Sequence, residues 1–160
     1  MGVAGCGKSS LGAAVASAEA LPLVEGDDFH SAASREKMSR GVALTDDDRA
    51  QWLETLGGQL AARPNGVVLT CSALKRAYRE RLRAAAPGLR FVFLEISRAD
   101  AQQRVASRGS HFFSASLVDS QFATLESPVG EPGVLRVDAL EPLPQLQERV
   151  SAWLHPQENA

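Results

Sequence analysis

Two rhythms of apolar and polar residues alternate along this chain. Short apolar runs recur at 21–25, 67–71, 90–95 and 134–137. Pro64-Asn65-Gly66 and Pro87-Gly88 stand just before the second and third of them. Apolar runs of about four to eight residues bounded by such turn formers predict buried strands. The stretches between them are longer and carry apolar residues at helical spacing. They predict helices over 9–20, 45–62, 75–85, 99–108, 116–125 and 143–154, with an irregular segment at 109–114. The second of these helices has a chemical start signal. Thr45 is a good N-cap, and Asp46, Asp47 and Asp48 suit the positive end of a helix dipole. Its apolar stripe runs through Trp52, Leu53, Leu56 and Leu60.

Strands that alternate with helices pair in parallel and are covered on both faces. The expected fold class is therefore α/β, a three-layer sandwich around a parallel sheet. The sequence has no linker, repeat or low-complexity tract, so residues 1–160 are expected to form one domain. Composition narrows the function. A net charge of −2 gives no basic surface for nucleic acid or for a membrane. No apolar run approaches the length of a membrane span. The Gly-rich start lacks the basic and apolar regions of a signal peptide, and two cysteines, Cys6 and Cys71, are too few for a disulfide framework. A cytoplasmic protein with a small-molecule substrate is expected, as monomer or homodimer. Of the 17 basic residues only Lys8, Lys37 and Lys75 are lysines. In so Arg-rich a chain, they mark positions where a compact ammonium serves better than a guanidinium fork.

Gly2-Val3-Ala4-Gly5-Cys6-Gly7-Lys8-Ser9 has the spacing G-x-x-x-x-G-K-[ST]. The glycines let the backbone wrap so that its N–H groups point inward at phosphates, and the next helix presents its positive end to the same anion. Lys8 reaches the β- and γ-phosphates, and the Ser9 hydroxyl ligates Mg²⁺. Gly2, Ala4, Gly5, Cys6, Gly7, Lys8, Ser9 and Ser10 are the expected nucleotide contacts, with ATP and Mg²⁺ as the implied cofactors. Only Met1 precedes the loop, whereas such a loop ordinarily follows a buried strand. The sequence therefore predicts a sheet lacking its central strand, between 67–71 and 90–95. It also predicts a translation start assigned late, with an upstream apolar run of about five or six residues.

A motor or transporter ATPase requires an apolar strand ending in Asp-Glu, and a GTPase requires Asn-Lys-x-Asp. Neither is present. Glu25-Gly26-Asp27-Asp28-Phe29-His30 follows the first predicted strand, and carboxylates at the C-terminal end of a parallel strand face the ligand crevice. Glu25 and Asp27 share one side of an extended chain. One such carboxylate orients Mg²⁺, and the other takes a proton from an attacking hydroxyl. Glu25 and Asp28 are the candidates beside the metal, and Asp27 is the candidate base.

These blocks, together with Lys37-Met38-Ser39-Arg40-Gly41, Leu44-Thr45-Asp46-Asp47-Asp48-Arg49 and Trp52-Leu53, resemble the bacterial-type gluconokinase family of small P-loop kinases. The more specific segments are Cys71-Ser72-Ala73-Leu74-Lys75 and Asp119-Ser120-Gln121-Phe122-Ala123-Thr124-Leu125-Glu126. Arg108-Gly109-Ser110-His111-Phe112-Phe113 falls between them in family order. Cys6 stands where the family usually has Ser, and Ser10 where Thr or Ala is frequent. The resemblance implies ATP-dependent phosphorylation of D-gluconate to 6-phospho-D-gluconate. It implies a substrate pocket with fixed cations and polar pairs: Arg49 as a bidentate reader of the carboxylate, with Asp27, His30, Ser72, Lys75, His111 and Gln121. Arg79 is a weaker candidate. It further implies a lid around 108–116 that closes over ATP, with Arg104 and Arg108 supplying positive charge. Lys8, Asp27 and Arg108 are the implied catalytic residues. A shikimate-type metabolite kinase and a nucleotide-binding module without turnover stand as alternatives.

Overall fold

The structure, a computed structural model, describes residues 1–108 and 115–157. The chain runs α1 (Lys8–Glu19), β1 (Leu23–Glu25), a 3-10 turn (Gly26–Phe29), α2 (Ala32–Ser39), α3 (Asp46–Ala61), β2 (Val68–Thr70) and α4 (Arg76–Ala85). It continues β3 (Phe91–Glu95), α5 (Arg98–Ser107), α6 (Ala115–Thr124), β4 (Val134–Asp138) and α7 (Leu143–Leu154). The α/β alternation expected from the sequence is present. The 3-10 turn and α2 are additions. Within α2 only Ser34 and Met38 are buried, so no apolar stripe announces it, although Ser31 caps it by accepting from Ser34 N–H. At α3 the expected cap is a full capping box: Asp48 N–H donates to Thr45 Oγ1, and Thr45 N–H donates to the Asp48 carboxylate.

The strands pair in parallel, but as two separate ribbons. β1 pairs with β2 in the register Leu23–Val68, and β3 pairs with β4 from Phe91–Val134 to Glu95–Asp138. The sequence predicted a gap between β2 and β3, and the described residues have one. Met1 and Gly2 stand in its upper end. The α-amino group of Met1 donates to Val92 O at 2.7 Å, and Leu94 N–H donates to Met1 O at 3.1 Å. Gly2 N–H donates to Ser72 O at 3.2 Å, just beyond β2. Two residues thus link the ribbons at the level of the phosphate loop. Burial pushes the α-amino group down to about 6.

Two apolar clusters flank these strands. One gathers Leu11 and Val15 of α1 with Leu94, Val118, Val137, Leu146 and Val150. The other gathers Trp52, Leu53, Leu56 and Leu60 of α3 with Tyr78 and Leu82 of α4 and with Phe91. Each fully buried Leu or Val contributes about 1.5–3 kcal/mol by leaving water, so α1, α3, α4 and α7 are held by packing. Among the described residues no helix is long and apolar enough to cross a membrane.

One polar knot lies beneath the second cluster. The Arg79 side chain is 0% exposed. It donates to both oxygens of Glu131 (3.0 and 2.6 Å), to Ala73 O (2.8 Å), to Leu74 O (3.1 Å) and to Glu126 O (3.0 Å). Every guanidinium nitrogen is used, so Arg79 is a structural tie and has no donor left for a substrate. It secures Ala73, whose φ of 47° is a left-handed conformation that alanine resists. Arg79 also holds the Glu131 carboxyl below its usual range.

Replacing one member of such a pair leaves an uncompensated buried charge. Arg79→Leu is expected to cost about 3–5 kcal/mol in urea unfolding, while the apolar double variant Arg79→Leu/Glu131→Leu recovers most of that loss. Because the Glu131 carboxyl is depressed in the fold, the pair's stabilisation is complete above the ordinary carboxylate range. It is lost as pH falls through the depressed value. A single variant as stable as the parent would show that neither the charge pair nor the Arg79 contacts to the carbonyls hold the knot.

Candidate active site

The phosphate loop leaves the Met1–Gly2 link and turns directly into α1. Gly2, Gly5 and Gly7 have φ of 143°, 83° and 98°. At Gly5 the neighbour forbids a side chain as well, because a Cβ would lie 2.8 Å from Ala101 O. Within the loop Lys8 Nζ donates to Gly2 O at 3.0 Å and to Val3 O at 3.1 Å. Arg104 donates from Nη1 to Gly5 O at 3.2 Å and from Nη2 to Ala139 O at 2.9 Å. Its guanidinium thus binds the carbonyl side of the loop and ties it to the segment after β4. Arg104 also borders the second of the two clefts described below.

Behind Ser9 stands an oxygen-rich relay. Ser9 Oγ donates to Glu25 Oε2 at 3.0 Å, Thr70 Oγ1 donates to the same oxygen at 2.6 Å, and Gly26 N–H donates to Thr70 Oγ1 at 3.3 Å. A Cβ at Gly26 would come within 2.2 Å of Thr70 O, so glycine is required there. Asp28 is exposed in the 3-10 turn and borders neither cleft described next.

Two clefts open on opposite sides of the loop and share Gly7 and Arg108. The first, of about 200 Å³, brings together Ala4, Gly5, Lys8 and Ser9 of the loop and α1 with Asp27, His30, Arg49, Ser72 and Gln121. The second, of about 650 Å³, lies between α1, α5 and the β4–α7 connection, against Cys6, Ser10 and Arg104. Lys75 borders neither. It donates to Asp46 at 3.0 and 3.2 Å instead. His111 and most of the expected lid, 109–114, lie outside the described residues.

Two side chains in the first cleft carry unsatisfied chemistry. Arg49 is 8% exposed, stacks over Tyr78 at 5.6 Å and donates to Tyr78 Oη at 3.2 Å. Among the described residues it has no carboxylate partner, although three aspartates precede it in α3. Asp46 is taken by Tyr78 and Lys75, which hold its carboxyl below the usual range. Asp48 is taken by Lys37 at 2.8 Å and by Thr45 N–H, which bring it down to about 2. The second is His30, whose side chain is 6% exposed. Its ring stacks on Trp52 at 4.4 Å, and Trp52 Nε1–H donates to Gly26 O at 2.8 Å. His30 Nε2 meets Asp27 Oδ1 at 3.4 Å, and its Nδ1 is buried with no partner among the described residues. Arg79 beside Glu131 shows what a finished buried pair looks like here; Arg49 and His30 Nδ1 lack that completion.

Residues 1–128 match the protein family described as AAA domain. The gluconokinase of Gluconobacter oxydans (strain 621H) is 45% identical over 141 residues, spanning 86% of this chain and 79% of that protein. The thermoresistant gluconokinase of Escherichia coli (strain K12) is 40% identical, spanning 89% of this chain and 84% of that one. The chain belongs to the gluconokinase family. The crystal structure of a gluconokinase from Sinorhizobium meliloti 1021 superposes with a TM-score of 0.86 at 45% identity, covering 97% of this chain and 93% of that one. An APS kinase of Mycobacterium tuberculosis at 19% identity and a TM-score of 0.65 shares the fold alone. On the gluconokinase frame, three residues of the site escaped the sequence reading: Thr70, which braces Glu25, Trp52 as the platform for His30, and Tyr78 as the platform for Arg49. Each acts through contacts distant in sequence. The available signal was position: Thr70 ends β2, and Tyr78 lies one helical turn after Lys75.

The His30 contact, ahead of Lys8 and Arg35, lowers the Asp27 carboxyl from its ordinary value. His30→Phe keeps a ring to stack on Trp52 but removes that contact. Asp27 is then expected to titrate at a higher pH, read by carboxyl ¹³C NMR. An unchanged or lower titration would mean that Lys8 and Arg35 set its ionisation without His30.

Proposed function

We propose that the chain transfers the γ-phosphoryl group of ATP to the terminal hydroxyl of D-gluconate, giving 6-phospho-D-gluconate and ADP. The observation that carries this reading is Arg49, a buried guanidinium without a carboxylate partner, in a cleft bordered by the phosphate loop. A buried cation without a counter-ion is costly, and an incoming carboxylate bound by the guanidinium fork offsets that cost. The family relatives, gluconokinases by name, act on a sugar acid with one such group.

The second cleft takes the nucleotide, with its phosphates turned through the loop toward Lys8. Lys8 moves its ammonium from the loop carbonyls to the β- and γ-phosphates, and Arg108, at the junction of both clefts, faces the charge that develops during transfer. In the first cleft Arg49 holds the carboxylate end of gluconate. His30 Nδ1 and Ser72 bond its hydroxyls. Asp27, ionised at neutral pH, takes the proton of the terminal hydroxyl as its oxygen forms the new bond to phosphorus and the bond to the ADP oxygen breaks. Lys75 acts one layer out, because it neutralises Asp46 and so keeps that carboxylate from the sugar-acid end.

The oxygen donors of Ser9 and Glu25 fit a hard divalent cation such as Mg²⁺. Asp28, exposed and apart from this pair, does not join them. Mg²⁺ bound there neutralises phosphate charge. The two clefts meet at Gly7 of the loop and at Arg108.

ADP release should require gluconate, and shikimate should not replace it. ADP release without dependence on any sugar acid would leave only a nucleotide-binding module. Lys8→Ala is expected to lower kcat by more than about tenfold with the fold intact by circular dichroism. Arg49→Lys should raise the gluconate KM by about tenfold or more and leave the ATP KM within about twofold, since an ammonium cannot reproduce the bidentate fork. Equal losses for both ligands would reject Arg49 as the carboxylate reader.

A further inference from the structure

One hydrogen bond joins the phosphate loop to the sugar-acid cleft across 117 residues of sequence. Ala4 N–H donates to Gln121 Oε1 at 2.6 Å. Ala4 lies in the loop whose N–H groups are its means of holding phosphate, and both residues border the first cleft. Gln121 projects from α6, whose backbone is set by Leu117 (4% exposed) and Val118 (0%) in the core. The backbone of position 121 is therefore anchored, and the carboxamide keeps its own side-chain torsions.

Within the loop, then, both polarities are met internally. The carbonyls of Gly2 and Val3 hold the Lys8 ammonium, and the Gln121 carboxamide holds the Ala4 N–H. An arriving phosphoryl oxygen competes for both. It is charged, and charge-assisted hydrogen bonds are roughly twice as strong as neutral ones, so it displaces the amide oxygen. The freed carboxamide carries two donors and an acceptor, which matches a sugar hydroxyl that both gives and accepts a hydrogen bond. The residue type fits this exchange. A glutamate there would keep the acceptor but set a negative charge beside the phosphate, and a leucine would have nothing to exchange.

We infer that Gln121 is the positioning residue that couples the two clefts: it caps Ala4 N–H while the loop is empty and turns onto the sugar acid when the loop is filled. This rests on the gluconate reading above. Filling the loop thereby improves gluconate binding, and gluconate, by holding the carboxamide away, improves nucleotide binding by the same factor.

Titration calorimetry on the full chain tests this, with gluconate and a non-hydrolysable ATP analogue each measured alone and against the other. In the parent protein each ligand should tighten the other by about tenfold, within the usual range of coupling between sites. Gln121→Leu should reduce that factor to below about twofold. Gln121→Glu, nearly identical in shape, should also weaken the analogue by about tenfold or more through like-charge repulsion. Thermal melts report folding of both variants; should the leucine variant fail to fold, the glutamate variant carries the decision alone. A packing role alone would lower the melting temperature and weaken both ligands without changing the coupling factor. Parent-like coupling in either folded variant overturns the inference, as does an uncoupled parent that binds and phosphorylates gluconate. A parent that neither binds gluconate nor releases ADP with it overturns the gluconate reading instead, and this inference with it.

Discussion

A loop that binds phosphate through backbone N–H groups has to hold those groups still, and a loop of left-handed glycines has few side chains with which to do so. Gly2, Gly5 and Gly7 occupy such conformations here. The clamps therefore come from outside. Met1 and Gly2 are tied to Val92, Leu94 and Ser72, fixing the entrance. Arg104 grips Gly5 O, and Gln121 caps Ala4 N–H. Lys8, whose charge the chemistry needs, is held meanwhile by the loop's own carbonyls. Each clamp belongs to a different element, so β3, α5 and α6 are positioned as much by the loop as by their apolar contacts.

The sugar-acid side is built on a second, independent anchor. Arg79 binds the carbonyls of Ala73 and Leu74 while its charge meets Glu131, so the segment after β2 cannot relax from its strained turn. Ser72 and Lys75 flank that turn, and Tyr78, on the same helix as Arg79, supports Arg49. Glu126 accepts from Arg76 N–H and, through its own N–H, bonds Leu74 O. The end of α6 is thereby joined to the same knot. The two anchors meet on α6, which carries Gln121 toward the loop at one point and the Glu126 contacts at its end. Rigid supports on both sides of a cleft are what in-line transfer requires, since small misplacements of reacting groups cost large factors in rate.

What could be read from the sequence follows from how local each signal is. The phosphate loop was legible because its chemistry is backbone chemistry at consecutive positions. The strands and α3 were legible from period and from the Thr45 cap. The 3-10 turn and α2 were not, since Ser34 and Met38 are too few to make a stripe. Arg49, Asp27, His30 and Ser72 were chosen by position and family likeness, and they do share a cleft. Arg79 and Lys75 were read as ligand contacts because a charged residue just beyond a strand looks the same whether it meets a ligand or another group of the protein. The three-dimensional partners distinguish them: Glu131 for Arg79 and Asp46 for Lys75. Trp52, Thr70 and Tyr78 gave only a positional signal, as their partners Gly26, Glu25 and Arg49 are distant in sequence.

The scarcity of lysine acquires a physical meaning at α3. The first turn of this helix needs acidic residues to suit the helix dipole, and it carries three of them directly before Arg49. Left to themselves, Asp46 and Asp48 would be natural partners for that guanidinium and would compete with an incoming carboxylate. Two of the chain's three lysines are spent on them. Lys37, from α2, takes Asp48, and Lys75, from the turn before α4, takes Asp46. A lysine ammonium is a compact point charge, able to neutralise a carboxylate without laying a planar fork across the cleft mouth as arginine would. The third lysine, Lys8, uses the same compactness to pass between loop carbonyls and phosphate. Arg49 is left with the aromatic ring and hydroxyl of Tyr78, which support its cation without neutralising it. The helix thus keeps its acidic start, and among the described residues the Arg49 guanidinium makes no direct carboxylate contact.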